Sequence, residues 1–252
     1  MSSPDFFGER RGRILMQGAD TGLVEASLAW LKMANAYGYS YNFEFMGRPL
    51  IQYPQDIVQM QQLILAANPE VVVETGIAHG GSIVMSAAML CLLDIADGVD
   101  PRESSRRVIA VDIDIRSHNR LALDNHPMRF KIELIEGSSI DPEIVTKVRE
   151  RVAGARKVLV SLDSNHTHEH VMRELDAFAS LVSIGSYCVV FDTVIEDLPH
   201  DSFPDRPWGV SNNPKTAVRE WLSSHPEFEI DYSIDQTLLI SVAPCGYLRR
   251  TR

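Results

Sequence analysis

Two aspartates and a histidine concentrate the chemistry of this chain. Asp163 closes the apolar run KVLVSLD, Asp192 closes SYCVVFD, and His166 follows Asp163 in LDSNHTHEHV. Neighbouring parallel strands bring their carboxyl-end side chains to one rim. Two carboxylates meeting there must share a proton or hold a cation. Oxygen donors with open positions suit Mg2+ or Mn2+. Glu196 is expected as a further ligand, with Thr193 and Asp197 as neighbouring candidates. The plainer alternative is that one acid is solvated or caps a helix. The histidines also invite comparison with the zinc pattern HxHxDH, but the last one arrives a position early. Residues two apart do not share a helix face, so His168 and His170 are expected on the outer part of a helix start.

A second concentration is VVVETGIAHGGS, Val71 to Ser82. Gly76, Gly80 and Gly81 fall where a strand turns into a helix. There, glycine admits close backbone approach and the helix start offers unpaired amides. The spacing is GxxxGG rather than the GxGxxG of dinucleotide binders, and Glu74 precedes it. An acid at that place repels a simple anion and suits a ligand carrying both ammonium and carboxylate, as S-adenosylmethionine does. Glu74, Gly76 and Gly80 are the expected contact positions. Asp112 ends RVIAVDID where a ribose diol would lie, with Asp114 the alternative or merely a helix cap. Ser138 and Ser139 in ELIEGSSID either border an adenine or, for Ser139, cap the next helix. A tight turn without ligand is the competing reading of the glycines.

The elements that position these residues follow from periodicity. From Val71, strand-like runs (VVVET, RVIAVDID, FKIELIEG, KVLVSLD, SYCVVFD) alternate with helical ones. Such alternation predicts right-handed crossovers, a mainly parallel sheet and helices on both faces. FEIDYSI and TLLISVA are too close for a crossover helix and are expected to pair antiparallel. The whole is the Rossmann-like, seven-stranded pattern of class I methyltransferases. Upstream, LVEASLAWLKMANAYG and the Pro54-initiated QDIVQMQQLILAA read as helices. NFEFMGRPLIQYP shows no clear period, and the first residues read as a polar start. Residues 1–69 are expected to form a cap or oligomer contact, and 70–252 the cofactor-binding domain.

Composition narrows the classes. A chain of 252 residues, 45% hydrophobic, can bury a large core. A net charge of −10 without a basic tract argues against a nucleic-acid surface. Three scattered cysteines without CxxC spacing read as reduced thiols, and no apolar run is long enough for a membrane span. The expected setting is the cytoplasm, and the apolar N-terminal helices suggest a homo-oligomer.

On ETGIAHGGS, LDSNHTHEHV, VVFDTVIE, RPWGVSNNPKTAV and LLISVAPCGYLRR, the chain resembles the rhamnosyl O-methyltransferase and cephalosporin hydroxylase-like family. The resemblance runs from NFEFMGRPLIQYPQDIV onward. It implies S-adenosylmethionine at the glycine turn, with Ala78 and Ser82 joining Glu74, Gly76 and Gly80 there, Asp112 on the ribose hydroxyls and Ser138 and Ser139 at the adenine edge. Asp163 and Asp192 match metal-ligand positions, and His166 matches a histidine fitted to act as base. The cephalosporin-pathway member closes its fifth strand with Glu-Asp, whereas Phe191 precedes Asp192 here. The implied activity is Mg2+-dependent O-methylation of a hydroxyl on a sugar or glycosylated small molecule. The alternatives are a role in hydroxylation or methoxylation, or a non-catalytic cofactor-binding partner.

Overall fold

A computed structural model describes residues 4–252. Its central sheet has seven strands: β3 (Val71–Thr75), β4 (Arg107–Asp112), β5 (Ile132–Glu136), β6 (Val158–Leu162), β7 (Tyr187–Val190), β8 (Phe228–Ile230) and β9 (Tyr247–Arg250). Their order is β5-β4-β3-β6-β7-β9-β8, with β9 antiparallel to both neighbours and the others parallel. The chain order reverses direction at β3, which pairs with β4 on one side and β6 on the other. Ligands of open α/β sheets bind beyond the carboxyl ends at such a switch point.

Alternation along the strands feeds two cores. Val72, Val108, Ala110, Leu159 and Val189 pack on one face, while Val71, Val73, Ile109, Val111, Val160 and Cys188 pack on the other. The first face is covered by α3 (Pro54–Ala67) and α4 (Gly81–Ala96). The second is covered by α6 (Pro142–Val152), α7 (His168–Phe178) and α8 (Pro214–Leu222). Burial on both faces explains why these strands read as continuous apolar runs. Asn213 caps α8 through the Lys215 and Thr216 amides, with Pro214 at the first turn. α5 (Ser117–Asp124) links β4 to β5.

Three local expectations change. The polar start is helical, α1 (Pro4–Ala19), followed by α2 (Thr21–Asn35); residues 1–3 of the expected cap lie outside the described residues. The aperiodic stretch is a hairpin, β1 (Phe43–Phe45) with β2 (Arg48–Leu50). TLLISVA is not a strand: Asp231 caps α9 (Tyr232–Leu238), and YLRR forms β9 instead. The cause is the buried carboxylate of Asp56, which accepts from Ser241 Oγ at 2.6 Å and Val242 N at 2.9 Å. Those bonds bend residues 241–242 onto α3, away from the sheet. Leu31, Leu50, Tyr53, Met60 and Ile64 share one core with the β3–α4 layer, so the N-terminal segment is packed into the same body as the sheet.

Candidate active site

The glycines of the turn after β3 are set by neighbouring protein. Gly76 has φ +91°, and a Cβ there would run into the main-chain carbonyl of Asp163. Gly80, at φ +87°, lies against Leu123, and Gly81 against the Pro49 carbonyl. Each glycine thus lets one segment close on the turn. Asp112, at the tip of β4, receives Ile77 N at 2.7 Å and Ala78 N at 3.3 Å on Oδ2, and Asp114 N at 3.1 Å on Oδ1. Asp114 does not cap α5, whose start has no side-chain cap. No side chain caps α4 either, so its first amides are without a side-chain partner.

Glu74 is buried at 3% exposure, and its carboxyl receives the Ser82 hydroxyl. Burial pushes it up to about 7, against a smaller lowering by that hydroxyl. On the far side of the rim Ser139 is buried, its Oγ 3.1 Å from His170 Nε2. Ser164 Oγ lies 3.1 Å from the same nitrogen and donates to Glu174 Oε1 at 2.7 Å. The helix cap expected as one reading of Ser139 falls instead to Asp141. His170 therefore faces inward, and His168 is tied to Thr216 at 2.9 Å and Glu220 at 3.3 Å. The expected outward placement is corrected for His170, whose ring the serine loops and Glu174 turn in, while His168 stays part-exposed between α7 and α8.

Asp163, His166 and Asp192 converge, each offering a ligand atom within 4.8 Å of the others. His166 Nε2 is 3.2 Å from Asp192 Oδ2, and its ring meets Trp208 edge-on at 4.8 Å between centroids. Asp192 adopts φ +55°, while Phe191 is buried in the core, so the chain turns sharply to bring the carboxylate to the rim. Burial raises Asp163 well above the usual carboxylate range, followed by the charges of Asp192 and Glu74. A hydrogen bond from Gln52 offsets part of this.

Glu196 stands outside this group. Its Oε2 accepts from Ser211 N at 2.8 Å and Asn213 Nδ2 at 2.5 Å, which pins the loop carrying Trp208. The expectation that it is a ligand gives way to this anchoring geometry, and those donors hold its pKa down despite partial burial. The other candidates are also engaged: Thr193 Oγ1 donates to the Pro244 carbonyl at 2.7 Å, and Asp197 pairs with Lys215. Gln52 is the residue that sequence reasoning missed. It is 3% exposed, it offsets part of the rise in the Asp163 pKa, and its Oε1 has no hydrogen-bond partner. A lone amide in the otherwise aperiodic RPLIQYP was its only signal.

Sheet order, glycine turn and rim acids together define a class I, S-adenosylmethionine-dependent methyltransferase. Residues 37–251 match the rhamnosyl O-methyltransferase/CmcI family, and the chain belongs to it, as an O-methyltransferase. A rhamnosyl O-methyltransferase of Mycobacterium tuberculosis is 27% identical over 209 residues, covering 82% of this chain and 77% of the relative. Among solved structures, a CmcI Mg-SAM structure superposes with a TM-score of 0.53 at 16% identity, over 84% of this chain and 78% of that one. TomG from Streptomyces achromogenes, an O-methyltransferase in complex with SAM, gives 0.53 at 14% identity over 90% of each chain.

Proposed function

We propose that the protein methylates a hydroxyl of a sugar or glycosylated small molecule, using S-adenosylmethionine with Mg2+ or Mn2+. One observation carries the reading: Gly76 of the turn lies against the Asp163 carbonyl, so the cofactor turn and the Asp163–His166–Asp192 group share a wall. The residues fit both groups. Two like charges and a buried amide oxygen without a partner are relieved by a divalent cation or its water. Glu74 suits an ammonium, and the uncapped start of α4 suits a carboxylate. The relatives' names, rhamnosyl O-methyltransferase and CmcI Mg-SAM, accord with this choice of acceptor, cofactor and ion.

Asp163 and Asp192 would hold the ion, with Gln52 beside Asp163. When bound, a divalent cation lowers the pKa of an acceptor hydroxyl, and the sulfonium supplies an electrophilic methyl. His166, braced between Asp192 and Trp208, would take the proton of the acceptor hydroxyl. Asp112 receives the ribose hydroxyls, Ser138 and Ser139 border the adenine, and Ala78 and Gly80 line the turn. The Trp208 loop would form a platform that positions the sugar.

Three cysteines without disulfides accord with the cytoplasm; no helix among the described residues is long and apolar enough to cross a membrane. Exposed Phe6, Phe7, Leu15 and Met16 on α1 accord with self-association, which light scattering tests. Calorimetric titration with S-adenosylmethionine, with and without Mg2+, tests the cofactors. Transfer of labelled methyl to a rhamnoside oxygen tests the reaction. Binding without label transfer to any glycoside would leave the non-catalytic alternative standing.

A further inference from the structure

We infer that Arg48, on the N-terminal hairpin, is a positioning residue for the cofactor turn, acting together with Asn119 of α5. The inference rests on S-adenosylmethionine binding at that turn. Arg48 Nε donates to the His79 carbonyl at 2.7 Å, and its Nη2 donates to Asn119 Oδ1 at 2.8 Å. Asn119 is buried at 2% exposure, and its Nδ2 donates to the Ala78 carbonyl at 2.8 Å. Two successive carbonyls of the turn are thereby held from outside by one connected pair of side chains.

A peptide unit is planar and trans, so fixing its carbonyl fixes the amide on the opposite side. Holding the Ala78 carbonyl on Asn119 sends the His79 N–H the other way. Holding the His79 carbonyl on Arg48 sends the Gly80 N–H toward the Ile77 carbonyl, which it meets at 2.7 Å. Asp112 gathers the Ile77 and Ala78 amides on the remaining side. Ala78 sits at φ +45°, a conformation an alanine leaves readily unless its neighbours are fixed. Without the clamp the Ala78–His79 peptide can flip and place a carbonyl where the His79 N–H points, and a flip of the next peptide would break the Gly80 bond to Ile77. A flipped carbonyl would repel the carboxylate of the cofactor.

The pair also fixes the hairpin. The Pro49 carbonyl packs on Gly81 at the start of α4, so Arg48 and Pro49 grip the turn from adjacent positions of one strand. This gives the aperiodic NFEFMGRPL stretch a task in cofactor recognition.

Arg48→Met keeps most of the side-chain length and removes both donors. S-adenosylhomocysteine titrated into the full chain is expected to bind about tenfold more weakly to this variant. The maximal rate at saturating cofactor and the KM for a rhamnoside acceptor should change less than twofold. Arg48→Lys, able to reach one acceptor at a time, should recover part of the affinity, and Asn119→Ala should mimic Arg48→Met. A folded Arg48→Met protein with wild-type affinity would overturn the clamp. So would a loss confined to thermal stability, or an equal fall in the saturated rate. Failure of the wild type itself to bind S-adenosylhomocysteine would remove the cofactor reading and the clamp with it.

Discussion

Gly76 and Asp163 meet backbone to backbone: the glycine Cα faces the aspartate's carbonyl oxygen with no room for a Cβ between them. The strand order makes this possible, because β3 and β6 are direct neighbours with Thr75 beside Leu162. Gly76→Ala must therefore displace Asp163 as well as strain a φ of +91°. Stability should fall by about 2 kcal/mol or more, and calorimetry should show cofactor and Mg2+ affinity lost together. Loss of one alone would mean that the two sites are less joined than the contact implies.

Asp163→Asn and Asp192→Asn are each expected to weaken Mg2+ or Mn2+ binding at least tenfold, measured without acceptor. Asp163→Asn should also raise the melting temperature of the metal-free protein at pH 8. It removes a group whose ionisation is opposed by desolvation and by the charges of Asp192 and Glu74.

Glu196→Gln separates a loop anchor from a metal ligand. It keeps the shape but weakens the bonds to Ser211 N and Asn213 Nδ2. Acceptor KM should rise several-fold while ion affinity, read by titration, stays within twofold. Trp208→Ala should raise acceptor KM further and lower the maximal rate, by about tenfold each, because the brace on His166 goes with the platform.

Burial raises several acids, among them Glu74 from 4.5 to about 7 and Asp56 from 3.8 to about 6. Both bind their protons more tightly folded than unfolded. Their contribution is full below the unfolded values and is lost as pH rises through about 6 and then about 7. Each costs on the order of 3 kcal/mol once ionised. Melting scans should show a less stable protein at pH 8 than at pH 5, and Glu74→Gln should flatten part of the slope. S-adenosylmethionine should restore stability most strongly at the alkaline end, where Glu74 is charged.

Much of this arrangement is legible in sequence, for definable reasons. Buried parallel strands such as VVVET and KVLVSLD announce themselves as apolar runs, and an acid closing such a run falls on the rim. That is how Glu74, Asp112, Asp163 and Asp192 could be placed. Glu196 could not, because chain proximity to Asp192 does not reveal that its carboxylate turns toward Asn213, seventeen positions later. His170 resisted for a similar reason: its partners Ser139 and Ser164 lie off its helix, in the loops after β5 and β6. Gln52 and Arg48 sit in a stretch without period, where contacts arise only once the hairpin has docked. TLLISVA has strand-like composition, yet the polar demand of Asp56 overrides it. Even the glycines, correctly marked as a turn, make room for Asp163, Leu123 and Pro49.

The bond from Tyr247 to Asp56, 2.8 Å long, joins residues 191 positions apart. On the ribosome, the third helix thus emerges with an acid whose hydroxyl partners, Ser241 and Tyr247, are among much later residues. Until β9 slots between β7 and β8, that acid has only water to satisfy it. The helix beside Gln52 and Tyr53 can then bury its apolar face only by burying an unpaired acid, so the methyl-transfer machinery should be completed late in synthesis, by its last strand rather than its first.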